Sequence, residues 1–344
     1  MPVTIKDVAK VAGVSPSTVS RVISNHPRIS PKTAAKVKRI MIEMGYHPNM
    51  VAKSLVSKKS NTLGVILPRP AEELFLNLFF SEFIRGIVTQ ATRQGYDLLM
   101  SSGTTESEEM EAITRFVKGR RVDGVILLSS KKNDPTVKFL REQNFPFILI
   151  GRSDEHADVL SVDNDNVQAA YDVTKYLISL GHERIGFVSG PPQLVVSQDR
   201  LEGYKKALKE SNLPMKSHWI VEGEFLQESG YRAMSMIMNL ADRPTALIIT
   251  DDLVAYGVVR GITELGYQVP DDISLFSFNN ISISELTTPP LSSVDIGIYQ
   301  MGYTASQALL RNIQEDQHDQ RRIVIPHRLI IRQSCAKMNS QERS

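Results

Sequence analysis

The sequence predicts a small all-α head joined to a larger α/β body that is built on two open parallel sheets. Three observations support this fold class. Three short amphipathic helical patterns fill the first 47 residues, continuous apolar runs alternate with helical patterns from residue 61 onward, and the charge changes sign near residue 60. With 344 residues, 42% hydrophobic and 23% charged, the chain is long enough for two or three globular domains.

The net charge of +2 conceals an uneven distribution. Residues 1–60 contain eleven lysines and arginines but only two acidic residues, a net charge of +9, whereas the rest of the chain carries a net charge of −7. A basic head on an acidic body predicts that the head contacts a polyanion, nucleic acid in particular, and that the body does not. The simpler alternative is a solvated charged surface.

Several classes of protein are disfavoured by composition. No apolar run approaches the ~18 residues of a membrane span. The first residues lack the apolar segment of a secretory signal, so we expect a cytoplasmic protein. The single cysteine, Cys335, rules out an intrachain disulfide framework and a cysteine-rich zinc site. We expect neither a cofactor nor a metal.

The head carries start and stop signals for three helices. Thr4 followed by Asp7 resembles a capping box, and Gly13 supplies a left-handed residue where the first helix ends. Ser15-Pro16 and Ser30-Pro31 each place serine at the N-cap and proline at the first helical position. Three short helices with a glycine-containing turn between the first two predict a helix-turn-helix unit.

The second helix of such a unit lies in the major groove of DNA, with its N-terminus towards the base edges. The side chains that point away from its apolar face are the candidates for base contact, namely Pro16, Ser17, Ser20 and Arg21. Arg21 can donate two hydrogen bonds to a guanine, worth roughly 1–3 kcal/mol of discrimination. The simpler alternative is that these are ordinary exposed helix residues.

Residues 48–59 predict a short helix followed by basic residues. Isolated helices shorter than about 12–15 residues are marginal in water, so we expect this one to form only when it binds a partner. Asn49 can cap it, and Leu55 can insert into a base step from the minor groove. Lys53 and Lys58 can neutralise phosphates. Folding of this hinge would couple the body to the head.

The body shows the alternation of strands and helices that is typical of βαβ units. Continuous apolar runs predict buried parallel strands at 62–68, 96–102, 122–129, 145–151, 184–190, 219–223, 245–250 and 273–278. Helical patterns occur at 79–94, 107–119, 134–143, 164–181, 198–211, 228–240 and 254–265. Because the pattern restarts near residue 164, we expect two lobes of one architecture.

Ligands of open α/β sheets bind beyond the carboxyl ends of the strands. Polar residues follow most of the predicted strands: Pro68-Arg69, Ser101-Ser102, Ser129-Ser130, Arg152-Ser153, Gly190, Asp251-Asp252 and Asn279-Asn280. Aromatic residues occur nearby, at Phe75, Phe79, Phe225 and Phe278. Aspartate, asparagine and arginine can each hold two hydroxyl groups and an aromatic face can stack on a sugar ring, so this set suits a polyhydroxylated ligand. Helix capping is the alternative role for each polar residue.

A family resemblance covers nearly the whole chain. VTIKDVAKVAGVSPSTVSRVIS, RISPKTAAKVKRIMIEMGYHPN and VAKSL resemble the DNA-binding head and hinge of the LacI/GalR family of bacterial repressors, especially the maltose-operon repressors of Gram-positive bacteria. SQDRLEGYKKAL and TDDLVAYGVVRGITELGYQVPDDISLFSFNN resemble the body of that family. The resemblance implies a periplasmic-binding-protein-like body and a symmetric dimer on a pseudo-palindromic double-stranded operator. The predicted DNA contacts are Thr4, Pro16, Ser17, Thr18, Ser20, Arg21, Ser30, Asn49, Ala52, Lys53, Leu55 and Lys58.

The resemblance also implies a small effector. Carried over by position, the residues that contact this effector would be Arg152, Arg200, Phe225, Asp251, Asn279 and Asp295. The aromatic residues near the predicted strand ends add Phe75 and Phe79 to this set. The tripeptide Ile-Gly-Arg that ends at Arg152 favours a sugar over a purine, with maltose or a maltodextrin as inducer at genes of sugar uptake and breakdown. The alternative is a catabolite-control regulator that needs a corepressor metabolite or phosphoprotein.

We expect four segments along the chain: a DNA-binding head (1–47), a hinge helix and linker (48–60), an effector-binding and dimerisation domain (61–335) and a polar tail (336–344). The resemblance implies three crossings between lobes, near 161, 291 and 323. The expected N-subdomain is about 61–160 and 292–323, and the expected C-subdomain about 162–290 and 324–335. The tail has no coiled-coil heptads, so a dimer is expected rather than a tetramer.

An enzyme is the first rival interpretation. The sequence contains no GxxxxGK[ST], no GxGxxG after a strand, no HExxH and no GxSxG. His182 fits the end of a helix better than a catalytic role, and DEHAD at 154–158 fits a solvated loop better than a metal site. We therefore expect no enzymatic activity. A periplasmic-type binding protein, the second rival, would share the two-lobed body but not the basic head.

Overall fold

The computed structural model describes residues 3–24, 26–46, 59–68, 77–103, 105–128, 130–315 and 322–338. The chain divides into two compact units, residues 1–60 and 61–344, which we call the head and the body. Each unit buries apolar clusters of its own. No helix in the described ranges combines the length and the apolar character that a membrane crossing needs.

The described residues of the head form three helices: α1 (Ile5–Ala12), α2 (Pro16–Ile23) and α3 (Pro31–Glu43). They pack around a small core of Val8, Ala9, Ala12, Val19, Val22, Val37 and Ile40. These positions recur at helical spacing in the sequence, so the predicted apolar faces and the predicted helix-turn-helix are confirmed.

The helix caps of the head form as predicted. The Thr4 hydroxyl accepts a hydrogen bond from the Asp7 amide at 3.4 Å, and the Asp7 carboxylate accepts one from the Thr4 amide at 2.9 Å. The Ser15 and Ser30 hydroxyls accept from amides in the first turns of α2 and α3, at 3.1 and 3.2 Å. Gly13 ends α1 with φ of 65°. These caps satisfy amides that would otherwise lack partners.

The body alternates strands and helices along the chain. Its elements are β1 (Thr62–Leu67), α4 (Leu78–Arg93), β2 (Asp97–Ser102), α5 (Glu106–Lys118), β3 (Gly124–Leu127), α6 (Pro135–Glu142), β4 (Phe147–Ile150), β5 (Ser161–Asn164), α7 (Asn166–Ser179), β6 (Ile185–Ser189), α8 (Val195–Glu210), a 3-10 turn (Ser217–Trp219), β7 (Ile220–Glu222), α9 (Gln227–Met238), β8 (Ala246–Ile249), α10 (Asp252–Glu264), β9 (Ser274–Phe278), α11 (Ile283–Leu286), β10 (Ser292–Asp295), α12 (Ile298–Glu315), β11 (Arg322–Ile325) and β12 (Arg328–Ile330).

Two six-stranded sheets organise the body into two lobes. The sheet of the first lobe has the order β11-β5-β4-β3-β1-β2 and is parallel throughout. The sheet of the second lobe has the order β12-β10-β9-β8-β6-β7, in which only β12 is antiparallel to its neighbour. Parallel strands place their carboxyl ends at one edge of each sheet, where ligands bind in such folds.

The chain passes between the lobes three times, as predicted, but the crossings lie a few residues later than expected. Residues 161–164 form β5 of the first sheet and residues 292–295 form β10 of the second. The observed crossings therefore come after residues 164, 295 and 325 rather than near 161, 291 and 323. The reason is that β5, with the sequence SVDN, is short and polar and lacks the apolar run that marked the other strands.

One buried asparagine ties the three crossings together. Asn164 ends β5, and its side-chain amide donates to the carbonyl oxygens of Ile296 and Ile325, each at 2.9 Å. Ile296 follows β10 and Ile325 ends β11, so all three crossings meet at one side chain.

The main helix pairs of the body each pack with a glycine at the contact. An added Cβ would meet a backbone carbonyl oxygen in three of them: at 2.2 Å for Gly86 of α4 against Tyr299 of α12, at 2.0 Å for Gly203 of α8 against Val167 of α7, and at 1.9 Å for Gly257 of α10 against Gln227 of α9. Any side chain at these positions would push the two helices apart.

Gly86→Ala should lower the free energy of unfolding by about 1–3 kcal/mol, because overpacking against a backbone oxygen cannot be relieved by a rotamer change. Urea denaturation of the full chain measures the loss. Ser81→Ala, on the exposed side of the same helix, is the matched control and should change stability little. Equal midpoints for the two variants would contradict the close packing of α4 on α12.

Candidate functional site

The second helix of the head presents the polar surface that the sequence predicts. Pro16, Ser17, Ser20 and Arg21 are all exposed on α2, opposite the buried face. The Ser17 hydroxyl lies 2.7 Å from that of Ser15, which holds it at the helix N-terminus. Arg21 forms no ion pair with any residue in the described part of the chain.

Three further predicted DNA contacts in the head take part in helix caps. Thr18 is half-buried, and its hydroxyl lies 2.9 Å from that of Ser15. Thr4 and Ser30 are exposed N-caps of α1 and α3. The hinge positions Asn49, Ala52, Lys53, Leu55 and Lys58 lie outside the described residues. The hinge helix and its leucine wedge stay predictions.

A cavity of about 540 Å³ lies between the two lobes of the body. Its walls include residues that follow strands of both sheets, which agrees with the predicted binding of a ligand beyond the carboxyl ends of the strands. Six predicted effector residues line it: Phe79, Arg152, Arg200, Phe225, Asp251 and Asn279. Phe75 lies outside the described residues.

The structure does not bring Asp295 to this cavity. Its carboxylate accepts hydrogen bonds from the Gly297 amide at 2.9 Å and from the Arg328 guanidinium at 2.7 Å. Arg328 belongs to β12, the one antiparallel strand, which pairs with β10 and supplies this partner. Of the described residues predicted as effector contacts, Asp295 is therefore the one that does not line the cavity.

Arg200 lies at the base of the cavity and is 3% exposed. Its guanidinium donates to the Asn166 side-chain oxygen at 3.0 Å and to the Thr250 carbonyl oxygen at 2.6 Å, and it stacks 4.2 Å from the centre of the Phe278 ring. Burial lowers the pKa of Arg200 to about 10, against the opposing effect of nearby carboxylates such as Asp251. Arg200 therefore remains charged at neutral pH.

Asp251 is a buried carboxylate fixed at the N-terminus of α10. One of its oxygens accepts from the amides of Leu253 and Val254 at 2.7 and 3.2 Å, and the other accepts from the Asn279 side-chain amide at 2.8 Å. Burial raises the pKa of Asp251 to about 6. These bonds set the orientation of both residues towards the cavity.

Asp252 supports this wall from behind and is fully buried. Its carboxylate accepts from the hydroxyls of Ser277 and Ser293 and from the Ile281 amide, the last two at 2.8 Å. Burial raises the pKa of Asp252 to about 7. Of the predicted pair at the end of β8, only Asp251 thus lines the cavity, while Asp252 joins α10 to β9, β10 and the loop after Asn279.

Arg152 forms an ion pair that joins the two lobes. It follows β4 of the first lobe, and its Nε and Nη2 donate to the two carboxylate oxygens of Asp199 on α8 of the second lobe, at 2.9 and 2.5 Å. Its Nη1 donates to Asp154. The hydrogen bonds with Asp199, together with the charges of both carboxylates, raise the pKa of Arg152 further above its usual value.

Aromatic rings face the cavity from both lobes. Phe79, near the start of α4, stacks on Phe83 with ring centres 6.1 Å apart. Phe225 follows β7 and lies against Gly190, where an added Cβ would be 2.2 Å from the ring. Glycine at the end of β6 is therefore what allows Phe225 to occupy this wall.

Sequence reasoning missed several residues that line the cavity, namely Asn77, Asp163, Asn166, Asp199 and Glu224. Asp163 and Asn166 were missed with the short strand β5, whose polar sequence hid its carboxyl end. Asn77 caps α4 by accepting from the Phe79 amide at 3.0 Å, and an N-cap asparagine near a strand end is a signal that could have found it.

The described residues include no group of three or more His, Cys, Asp or Glu side chains that could hold a metal ion. His182 is buried, with one ring nitrogen 3.0 Å from the Thr245 hydroxyl and the other 3.1 Å from the Ala336 carbonyl oxygen. Asp158, in the DEHAD segment, pairs with Arg141 at 2.6 Å. Both sites therefore have structural partners.

Comparison with known proteins gives two matching domain patterns. Residues 4–49 match bacterial regulatory proteins of the lacI family, and residues 174–335 match the periplasmic binding protein-like domain. The first pattern covers the helices of the head, and the second runs from within α7 to five residues beyond β12, so it covers most of the second lobe together with α12 and β11.

Full-length relatives align with almost the entire chain. It is 39% identical to the HTH-type transcriptional regulator MalR of Streptococcus pneumoniae serotype 4, over 96% of this chain and 99% of the relative. It is 35% identical to catabolite control protein A of Priestia megaterium, over 97% and 99%. The Lac repressor dimer bound to operator and an anti-inducer superposes with a TM-score of 0.85 at 27% identity, covering 98% of this chain and all of that chain.

Proposed function

The chain belongs to the lacI family of bacterial regulatory proteins, and we propose that it represses genes of sugar uptake and breakdown until maltose or a maltodextrin enters its cavity. The family makes it a DNA-binding transcriptional regulator, and the relatives named above are regulators rather than enzymes. One observation carries the proposal: a helix-turn-helix with an exposed polar face and a ligand-sized cavity occur in the same chain.

The chemistry of the cavity supports an uncharged, hydroxyl-rich ligand. Six of its described lining residues are acidic and three are basic: Glu106, Glu109, Asp163, Asp199, Glu224 and Asp251 against Lys131, Arg152 and Arg200. Lys131 already pairs with Glu109 at 2.8 Å, and Arg152 pairs with Asp199. An anionic ligand would meet excess negative charge, whereas hydroxyl groups can both donate and accept here. The 39% identity to a protein named MalR favours maltose among such ligands.

The proposed DNA complex is a homodimer on a pseudo-palindromic operator in the cytoplasm. Pro16, Ser17 and Arg21 would contact base edges from the N-terminal half of α2. The hinge set Asn49, Ala52, Lys53, Leu55 and Lys58 would add minor-groove and phosphate contacts. The exposure of the α2 residues supports the first part of this proposal, and the resemblance of the sequence supports the second.

The second candidate is a catabolite-control regulator that needs a corepressor metabolite or phosphoprotein. The 35% identity to catabolite control protein A favours it. The two candidates differ in sign, because an inducer weakens operator binding and a corepressor strengthens it.

A mobility-shift titration of the full chain tests the proposal, with a pseudo-palindromic duplex that the protein itself has selected from random DNA. Maltose and maltotriose should weaken binding by roughly 5–150-fold, the range of ordinary allosteric coupling. Glucose 6-phosphate and purines should leave it unchanged. If maltose and maltotriose have no effect, the effector assignment is wrong, and if either tightens binding, the corepressor candidate replaces it. A fragment of residues 61–344 that still bound the duplex would refute the role of the head.

A further inference from the structure

The two lobes are joined beside the cavity by a short antiparallel backbone contact, which we call the cleft bridge. It consists of residues 130–132 of the first lobe and residues 193–195 of the second. The Val195 amide donates to the Ser130 carbonyl at 3.1 Å, the Lys132 amide donates to the Gln193 carbonyl at 3.4 Å, and an isolated β-bridge links the two segments between these bonds. The cleft bridge thus ties loops that follow β3 and β6.

The cleft bridge also completes the N-terminus of α8. Leu194 is the N-cap of this helix and its side chain offers no cap hydrogen bond. The first helical amide, that of Val195, instead reaches a carbonyl of the other lobe. A helix N-terminus needs acceptors for its first amides, so separation of the lobes would leave this one to water.

The Arg152–Asp199 ion pair crosses the same cleft one helical turn further along α8. Asp199 is 3% exposed, and both of its carboxylate oxygens accept from Arg152. A two-pronged arginine–carboxylate pair is among the stronger polar contacts in proteins. Because Asp199 is buried and lies near the carboxylate of Asp163, loss of Arg152 would leave a buried negative charge without its hydrogen-bonded cation.

The ion pair and the cleft bridge lie on the same segments of the two lobes. Arg152 and Ser130 both lie on the first lobe, and the Ser130 hydroxyl donates to the Arg152 carbonyl oxygen. Asp199 and Val195 both lie on the first turns of α8 in the second lobe. The ion pair and the cleft bridge should therefore form and break together.

We propose that Asp199 is a positioning residue for effector binding. Through Arg152 it holds the two lobes together, so that Phe79 of the first lobe and Phe225 of the second face one cavity. Neither residue of the pair needs to touch the ligand for this role. The inference rests on the proposed function only where maltose is used as the probe, because the state of the cleft can be measured without any ligand.

Hydrogen–deuterium exchange of the unliganded full chain tests the lobe contact directly. Asp199→Asn and Arg152→Met should each speed exchange in peptides that cover 130–133 and 193–199 by roughly tenfold or more, as the loss of a charged hydrogen bond implies. The double variant should be no faster than the faster single variant, because both changes break one interaction. Glu202→Gln, an exposed position on the same helix, is the matched control.

Two outcomes of this exchange measurement would overturn the inference. The first is that the peptides covering 130–133 and 193–199 exchange no faster in Asp199→Asn than in the control Glu202→Gln. The other is single-variant effects that multiply in the double variant, which would mean that the two residues act separately. Arg152 is only partly buried, so Arg152→Met keeps the test decisive if Asp199→Asn folds poorly.

Calorimetry with maltose supplies the second readout. Asp199→Asn should weaken maltose binding by roughly tenfold, by the same loss of a charged hydrogen bond, while Glu202→Gln should bind like the wild type. Faster exchange together with unchanged maltose affinity would refute the positioning role. A wild-type protein that does not bind maltose would instead refute the sugar assignment, and the exchange result would still decide whether the pair joins the lobes.

Discussion

Arg200→Met should produce a protein that binds DNA but needs at least roughly tenfold more maltose, the proposed effector, for release from it. Methionine can still pack on Phe278, but it cannot donate to Asn166 or to the Thr250 carbonyl. A ligand hydroxyl would also lose the charged donor at the base of the cavity. Losing a charged hydrogen bond of 1.5–3 kcal/mol implies at least a roughly tenfold weaker sugar response. The carboxylates around position 200, such as Asp251 and Asp163, would also lose the cation that balances their charge.

The measurement is the maltose concentration that half-releases the operator in a mobility shift. Lys205→Met is the matched control, because Lys205 is exposed on the same helix and should respond like the wild type. Thermal unfolding should accompany the titration, since removal of a buried cation near Asp251 also lowers stability. Release of Arg200→Met at the wild-type maltose concentration would contradict the role of Arg200 in the cavity.

Asp252→Ala should be the most destabilising single change considered, with a loss of about 3 kcal/mol or more in the free energy of unfolding. Three donors, the hydroxyls of Ser277 and Ser293 and the Ile281 amide, would lose their buried acceptor. Asp252→Asn should lose much less, because an amide oxygen can accept from Ile281 while serine hydroxyls accept from the amide nitrogen. Urea denaturation measures both variants. Asp271→Ala, at an exposed position, is the control, and equal losses in it and Asp252→Ala would contradict the buried network.

The same carboxyl group predicts a dependence of stability on pH. Burial raises the pKa of Asp252 to about 7, above the unfolded-chain value of about 3.9. The folded protein therefore binds this proton more tightly than the unfolded chain. The associated stability is fully present below about pH 4 and is lost as pH rises through about 7. Asp252→Asn should flatten that loss relative to the wild type, and parallel stability profiles would contradict it.

The sequence located part of the cavity because long apolar runs mark the strands, and polar residues at their ends are easy to find. Asp251 and Asn279 follow β8 and β9 in this way. Asp163 escaped because β5 has no apolar run to mark it. The helix α12 escaped too, although Met301, Ala305 and Leu309 are buried at helical spacing along it.

Contacts between lobes were beyond any local pattern. Asp199 precedes Arg200 in a helix, and nothing in that helix indicates that a residue after β4 reaches it. Asp295 is a case in which a local pattern indicated a ligand contact, but a distant segment supplies the partner. Its position at a strand end suited a ligand contact, but an antiparallel neighbour strand brings Arg328 to it first. Such partners depend on how distant segments assemble, which periodicity does not encode.

Asn164 connects all three chain crossings of the body by hydrogen bonds. Because its amide donates to the carbonyls of Ile296 and Ile325, any movement that separates the three chain crossings must break at least one of these hydrogen bonds. Asn166 donates to the Asn164 carbonyl at 3.3 Å and accepts a hydrogen bond from Arg200. Asn164 is therefore two hydrogen bonds away from Arg200, which lines the cavity. A movement of the lobes that separated these crossings would therefore reach the cavity wall through Asn166 and Arg200.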